Sequence, residues 1–474
     1  MVSGNLWDMY TWDFIIVLSI LFLGMLLANG LRRKVGFIKR SLIPSPVLAG
    51  FILLIFNLIW TAIFGSTLLT VPTLEAITYH GLGLGFVAVS LKAEKKSKDK
   101  KIKQDYFETG LMAVSSYLVQ GIVGISVTLI LCQFIKSVFP AGGLILPMGF
   151  AQGPGQAFTW GRNYENLYGF ENGASFGLTL AALGFIAASI GGVIYLKRME
   201  RAGKIKLDHM GDGAPAQLSE KISAQNEIPD SDSLDKLTIQ IALVFLGYFI
   251  TFLIMKTLHE IFLWTNNAFL LNTVNPLIWG FSFLIGTLIA VAMKSVLRSL
   301  NDKGVVKRVY TNNYMLTRIS GLFFDLMVVA SISAINLSAF KNPDFILPLI
   351  LISVLGAIAT YVQTNIHCKK IFPEYRDEQF LAMFGMNTGT ASTAMVLLRE
   401  IDPNLKTPAA NNIVFQALYA ILFGFPMLLL LGFAPRSIEW AYITLVLCIL
   451  LFIFMQILSY RKFIFKRSSR AKSK

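Results

Sequence analysis

The sequence predicts an all-α polytopic membrane protein, built as an inverted repeat of five-helix units. Each unit carries a re-entrant hairpin, and an extra C-terminal helix follows the second. Three observations predict this fold class. Of the 474 residues, 55% are hydrophobic and only 15% are charged, which is typical of chains that cross a bilayer many times. The apolar residues form a series of runs long enough to span a membrane. Two more apolar stretches, at equivalent places in the two halves, are interrupted by glycine-rich sequence.

The first repeat comprises residues 1–198 and is predicted to contain five membrane spans. They lie at residues 12–31, 43–63, 74–91, 107–135 and 174–196. The first interrupted stretch, residues 140–160, lies between the last two spans. A cleavable signal peptide is not expected, because the first apolar run follows acidic residues and lacks a basic segment before it.

The second repeat comprises residues 237–435 and follows the same plan. A polar linker, residues 199–236, separates the halves and is predicted to be cytoplasmic, since it is rich in charge, Gly and Pro. The spans of this half lie at residues 237–258, 273–293, 315–337, 346–366 and 413–433. The second interrupted stretch, residues 381–398, again lies before the last of them. Residues 436–474 add one helix, at 441–460, and a basic tail.

The distribution of Lys and Arg predicts the orientation of the chain. These residues concentrate in alternate loops, at 32–40, 92–103, 197–206, 294–308, 367–380 and 461–474. Because basic loops stay on the cytoplasmic side, we expect the N-terminus outside and the C-terminus in the cytoplasm. Alternation holds only if each interrupted stretch enters and leaves on one side, the first from outside and the second from the cytoplasm. The two halves would then have opposite orientations.

Composition also excludes other classes of protein. The net charge of +15 arises from the loops that orient the spans, so it does not indicate a nucleic-acid partner. The three cysteines form no close pair, and the four histidines lack ligand spacing, so neither a disulfide framework nor a metal centre is expected. They are Cys132, Cys368 and Cys448, and His80, His209, His259 and His367. Because no nucleophile stands beside a plausible base, we do not expect an enzyme.

The two interrupted stretches are the predicted binding site. Gly and Pro at 152–156 must break a helix, and irregular backbone at membrane depth is tolerated only where it is buried or lines a cavity. A broken helix offers free amides at one end and free carbonyls at the other, which together can hold a carboxylate and a small cation. The candidate substrate-binding residues are Gln152, Gly153, Pro154, Gly155, Gln156 and Thr159 in the first stretch, and Asn387, Thr388, Gly389, Thr390, Ser392 and Thr393 in the second.

A tight helix crossing is the alternative explanation of one such stretch. The pair, at matched positions, favours a binding site. A sodium site is expected near the two stretches, with ligands that the sequence does not specify.

Asp325 is the candidate for ion coupling. It lies inside the span 315–337, where a carboxylate is costly unless it faces a cavity or a partner. It could coordinate a cation or exchange a proton. Alternatively, it lies near the membrane surface or pairs with Arg318 on the same helix face.

The chain resembles the bacterial sodium/glutamate symporter family over most of residues 10–435. The similar stretches are residues 43–50, the first interrupted stretch with Trp160, Tyr168 to Phe170 with Asn172, and residues 388–394. The family pattern in the first stretch is Gly-Gly-x-Gly-x-Gly, and here Gln152 and Ala157 replace two of the glycines. The second stretch has Thr390-Ala391-Ser392-Thr393 without the proline of the family. The chain is therefore identified as a divergent member.

The resemblance implies a secondary transporter that works by alternating access. It implies sodium-coupled symport of glutamate or a related small carboxylate, in a homodimer in the bacterial cytoplasmic membrane, with no cofactor besides the coupling sodium ion. The altered glycines leave open a different organic anion, coupled to protons or to sodium. An ion channel is the alternative from another class, because re-entrant loops also build selectivity filters.

Overall fold

The computed structural model describes residues 5–93, 99–205, 207, 234–305 and 308–471, and this part of the chain is helical and contains no β-strand. Most of the predicted linker 199–236 lies outside the described residues. Among those described, eleven helices are long and apolar enough to cross a membrane. Each corresponds to one of the spans predicted from the sequence. The predicted class, an all-helical polytopic membrane protein, is confirmed.

The described residues of the first half form eight α-helices. They are α1 (Met9–Lys34), α2 (Gly36–Arg40), α3 (Ser45–Phe64), α4 (Val71–Leu91), α5 (Lys100–Leu131), α6 (Leu146–Phe150), α7 (Pro154–Tyr168) and α8 (Gly173–Arg201). A 3-10 turn, Gly142–Ile145, leads into α6. The short helix α2 was not expected from the sequence, because its five residues are too few to show a period.

In the second half, the part of the chain that the structure describes forms ten α-helices. They are α9 (Lys236–Thr265), α10 (Asn275–Gly280), α11 (Ser282–Asp302), α12 (Asn313–Ser333), α13 (Pro343–Ile371), α14 (Arg376–Thr388), α15 (Ala391–Arg399), α16 (Ala409–Phe415), α17 (Ala417–Phe433) and α18 (Ile438–Ala471). The predicted span 273–293 is divided between α10 and α11. The division falls at Phe281, which leaves helical geometry with φ −101° and ψ 23°.

The helices form two compact units, and each unit draws on both halves of the sequence. Unit 1 takes its described residues from Met1–Met25, Ala49–Lys96 and Gln217–Ala334. Unit 2 takes its described residues from Leu26–Leu48, Ser97–Ala216 and Ile335–Lys474. The third span of each half thus belongs to unit 1, whereas the fourth span, the interrupted stretch and the last span of each half belong to unit 2. In both halves a division falls between the third and fourth spans, whereas residues 26–48 of the first half belong to unit 2 and have no counterpart there in the second half.

Unit 1 is held together by α4, which packs against α11 and α12. Its apolar core contains side chains from four helices, namely Leu84, Val87, Ala88 and Leu91 of α4, Val244 of α9, Ala290 of α11, and Leu316 and Ile319 of α12. Small residues on α4 permit this close approach, since a Cβ on Gly81 would lie 3.1 Å from the carbonyl oxygen of Phe323. Such contact matters in lipid, where helices associate through van der Waals packing rather than through exclusion of water.

Unit 2 has its densest core around the interrupted stretches. The largest fully buried aromatic side chains of the described residues all lie there, namely Phe150, Trp160, Tyr164, Phe176, Phe185, Phe380 and Phe384. They come from α6, α7, α8 and α14. Helix α18, which the sequence shows as an addition to the repeat, packs along α5 in the same unit. The best-packed part of the molecule is therefore the part that contains the broken helices.

Candidate functional site

The first interrupted stretch forms a helical hairpin, hairpin 1, made of residues 142–168. The rings of Phe139 and Phe170, which precede and follow it, stack with their centroids 4.8 Å apart. The two ends of hairpin 1 therefore lie next to each other. The break between the two arms covers residues 151–153, so the predicted interruption is present but shorter than expected, and helix resumes at Pro154.

Gly153 makes this break possible. Its backbone has φ 86° and ψ 178°, a conformation that residues other than glycine avoid. Pro154 follows at the first helical position, where its missing amide costs nothing and its fixed φ is already helical. Two residues thus end one helix and start the next within a single turn.

The second interrupted stretch forms hairpin 2, made of α14 and α15, residues 376–399. A Cβ on Gly385 would lie 2.8 Å from Cα of Ala394, so the two arms lie side by side rather than in line. The break consists of Gly389, with φ −138° and ψ −112°, and Thr390, whose backbone is extended. α14 also contacts α8, α13 and α16, and it is the buried arm of the hairpin.

The breaks of the two hairpins meet inside unit 2. A Cβ on Gly153 would lie 3.7 Å from Cγ2 of Thr390, so the starts of α7 and α15 are neighbours. No side chain caps either start. Because the first amides of a helix have no intrahelical acceptor, two partly positive helix ends converge at one place. The breaks of the two stretches, at Gly153 and Thr390, are 237 residues apart in the sequence and are thus brought together.

The side chains of hairpin 1 face their own helix. Oγ1 of Thr159 donates to the carbonyl of Gly155 at 2.8 Å, and Nε1 of Trp160 donates to Oε1 of Gln156 at 3.2 Å. Gln152 is half-buried at the break. The polar contribution of this hairpin to a ligand therefore comes from its backbone and from Gln152, more than from Gln156 and Thr159.

The side chains of hairpin 2 divide into three groups. Thr388 donates to the carbonyl of Phe384 at 2.7 Å and is internally satisfied. Ser392 is exposed and Thr390 half-buried beside the break. Asn387 and Thr393 are fully buried, yet Oδ1 of Asn387 and Oγ1 of Thr393 have no hydrogen-bond partner.

Three residues that the sequence did not place in the site surround Asn387. Nε2 of Gln120, on α5, donates to the carbonyl of Asn387 at 2.7 Å and to Oγ1 of Thr360, on α13, at 2.9 Å. Nδ2 of Asn387 donates to Oγ of Ser116 at 3.0 Å. The signal was present in the sequence, because Ser116 and Gln120 are polar residues one helical turn apart in an apolar span, which marks a functional position or a helix contact.

The base of hairpin 2 is tied by a network of polar side chains. Asp105 accepts from Oη of Tyr375 at 2.7 Å, and Tyr375 in turn accepts from Nδ2 of Asn412 at 3.0 Å. On the other side of the same helix start, Asp377 accepts from Oη of Tyr195 at 2.7 Å and forms an ion pair with Lys204 at 2.8 Å. These contacts fix the start of α14.

Asp325, the candidate for ion coupling, belongs to a different unit from the two hairpins. It lies on α12 in unit 1, whereas both hairpins lie in unit 2. No hydrogen bond or ion pair to its carboxylate is present among the described residues. The proposed partner Arg318 instead holds its guanidinium 5.3 Å from the ring centroid of Tyr314.

Comparison with known proteins places this arrangement in context. The model of one family, described as sodium/glutamate symporter, matches residues 9–275, which is more than half of the chain. No individual curated protein matches the chain. The matched range contains hairpin 1 together with α5 and ends before hairpin 2.

Proposed function

The chain belongs to the sodium/glutamate symporter family, and on that premise we propose that its two hairpins form the site that binds glutamate, or a related small carboxylate, for transport with sodium. The family assignment confirms the resemblance and indicates a secondary active transporter of the membrane. It supports a transporter over the ion channel that the broken helices alone left open. One observation supports the location of the site, namely the meeting of two uncapped helix starts at Gly153 and Thr390.

The substrate's negative charge suits this location. Free amides and the dipole of a helix start attract carboxylates and phosphates, and a carboxylate bound there requires no buried cationic side chain. Two such starts lie side by side, so the site can receive the two carboxylates of a dicarboxylate. Ser392, exposed at the first turn of α15, adds a hydroxyl donor.

Uptake of labelled glutamate into proteoliposomes tests this proposal. We expect saturable uptake that requires an inward sodium gradient and disappears when a sodium ionophore collapses the gradient. Liposomes without protein are the control. Sodium currents that do not depend on glutamate would instead indicate a channel.

The absence of glutamate uptake by folded, reconstituted protein would contradict the substrate assignment. The same vesicles would then be supplied with other small carboxylates, first under a sodium gradient and then under a proton gradient. Uptake of one of these would support the proposed site and replace glutamate with another substrate. The replacement of two glycines by Gln152 and Ala157 allows this alternative.

We further propose that the N-terminus is outside, that the C-terminus is cytoplasmic and that the protein is a homodimer. The alternation of basic loops supports the orientation, and the family supports the assembly. Labelling of single cysteines introduced at residues 66 and 301 by an impermeant reagent checks the orientation, since only position 66 should react from outside. Chemical cross-linking in the membrane checks the dimer.

A further inference from the structure

We infer that the coupling cation binds between α5 and the end of α14, with the amide oxygens of Gln120 and Asn387 as ligands. This inference rests on the proposed function, because it names the place where the transported sodium would bind. It starts from an observation about hydrogen bonds. Oε1 of Gln120 and Oδ1 of Asn387 are both buried, and neither has a hydrogen-bond partner.

The orientation of each amide is fixed by its nitrogen. Nε2 of Gln120 donates to two oxygens, the carbonyl of Asn387 and Oγ1 of Thr360. Nδ2 of Asn387 donates to Oγ of Ser116. Turning the Gln120 amide over would set its oxygen against two oxygen acceptors, one of them a carbonyl that has no proton to offer. The packing around Gln120 therefore leaves its Oε1 without a hydrogen-bond partner among the described residues.

Both oxygens belong to one small region. Gln120 and Ser116 are one turn apart on α5, so they present the same face of that helix, and each hydrogen-bonds to Asn387. The hydroxyl of Thr393 is also buried and unpaired, and it lies on the other side of the break, 2.8 Å from where a Cβ on Gly389 would be. Three unpaired oxygens thus belong to residues that contact Asn387 or Gly389, or to Asn387 itself, at the end of α14.

Leaving buried acceptors unpaired is costly, at about 1–3 kcal/mol for each group. A bound cation removes that cost, because hard cations take carbonyl and hydroxyl oxygens as ligands. The end of α14 adds its partly negative carbonyls to the same place. No carboxylate contributes, and the described residues contain no group of three or more Asp, Glu, His or Cys side chains that could hold a metal ion. Neutral oxygens suit a monovalent cation such as sodium rather than a divalent one.

The location explains coupling. Asn387 is three residues before Thr390, where α15 and its proposed carboxylate site begin. A cation held by Asn387 fixes the end of α14 and therefore the break that follows it. The bound carboxylate and the bound cation would each stabilise the same conformation of the break in hairpin 2. Each would therefore raise the affinity of the protein for the other.

Substitutions that remove only the oxygens test the inference. Gln120→Met and Asn387→Leu keep the side-chain size, and both are expected to raise the half-saturating sodium concentration by about tenfold or more, which corresponds to a loss of about 1.4 kcal/mol. Binding of radioactive sodium to purified protein without glutamate is the direct measurement, and sodium-dependent uptake is the second. The matched control is Thr444→Val, because Thr444 on α18 also has a buried, unpaired hydroxyl oxygen but lies on neither hairpin.

The outcomes separate this inference from the proposed function. Wild-type sodium affinity in folded Q120M and N387L protein would overturn the cation site and leave glutamate transport intact. Sodium binding by the wild type that both variants lose, without glutamate uptake by any protein, would support the site and contradict the substrate. If N387L does not fold, the Asn387→Asp variant tests the cation site instead. It keeps an oxygen at this position, so it should retain sodium binding, and its failure to bind sodium when folded would count against the site.

Discussion

The two hairpins are equivalent in sequence position but differ in how unit 2 holds them. Hairpin 1 is fixed by backbone against backbone, because glycines of α8 lie directly on its second arm. In hairpin 2 only the first arm is held in this way, since a Cβ on Gly184 of α8 would overlap the carbonyl oxygen of Thr388, and the first residues of the second arm, Ala391 and Ser392, are exposed. The comparison indicates that hairpin 1 and α14 are rigid walls of the site, whereas the start of α15 is the part of hairpin 2 that can respond to a ligand.

The largest effect should come from disturbing the backbone contact of hairpin 1. A Cβ on Gly177 would overlap the carbonyl oxygen of Ala157, and neither backbone can move without displacing a packed helix. Gly177→Val should therefore prevent folding, since overpacking by even a few methylenes costs about 1–3 kcal/mol and this overlap involves main chain. The yield of monodisperse protein in size-exclusion chromatography is the measurement.

Gly321→Val is the control for this prediction. Gly321 also lies inside a helix, α12, but a Cβ there would have no neighbour within 4 Å. Its variant should elute as the wild type does. Equal yields of G177V and G321V would show that hairpin 1 is not held in the way described.

An effect on transport rather than on folding is expected at Gly389 of hairpin 2. The backbone there has φ −138° and ψ −112°, so its φ lies outside the left-handed region that favours glycine, and a Cβ would lie 2.8 Å from Oγ1 of Thr393 and 3.1 Å from the carbonyl oxygen of Gly385. The Thr393 side chain can turn away. Gly389→Leu should therefore fold but place its side chain in the proposed site.

Uptake by the Gly389→Leu variant should fall by a factor on the order of 100, as misplacement of reacting groups by about 1 Å does for rates in enzymes. Initial rates in proteoliposomes, normalised to reconstituted protein, give this factor. Gly389→Ala is the graded comparison and should lose less. Wild-type uptake by the leucine variant would remove Gly389 from the site and with it the assignment of hairpin 2.

The sequence predicts the parts of this structure that depend on local chemistry. Breaks at Gly153 and Gly389 follow from backbone preferences, and the spans follow from apolar runs, so both could be read from neighbouring residues. The contact of Gly153 with Thr390 and that of Gln120 with Asn387 join residues more than 230 apart in the chain. No local pattern specifies which polar residues of which spans meet, and for that reason Gln120 was not among the predicted site residues. For the same reason, the carboxylate of Asp325 indicated a functional position, but the sequence did not show that this residue belongs to unit 1 and the hairpins to unit 2.

The smallest effect concerns Asp402, which ties the chain just after hairpin 2. Its carboxylate accepts from the amides of Lys406 and Thr407, both at 2.9 Å, and from Oγ1 of Thr407 at 2.6 Å. Burial alone would raise the pKa of Asp402, but the hydrogen bonds from Thr407 and Lys406 outweigh it and lower the pKa below its ordinary value. Asp402→Asn, which removes the charge and keeps the shape, should lower stability by about 1–2 kcal/mol. The thermal midpoint of the purified protein measures this change.

The lowered pKa also gives the pH dependence of that difference. A carboxylate whose pKa is lower in the folded state stabilises the protein at pH values above its unfolded pKa of about 3.9. That stabilisation is lost as the pH falls through the folded value, where the proton binds. The difference in thermal midpoint between wild type and D402N should therefore be constant near neutral pH and shrink below about pH 4. A difference that stays constant down to pH 3 would mean that ionisation of the Asp402 carboxylate does not stabilise this tether.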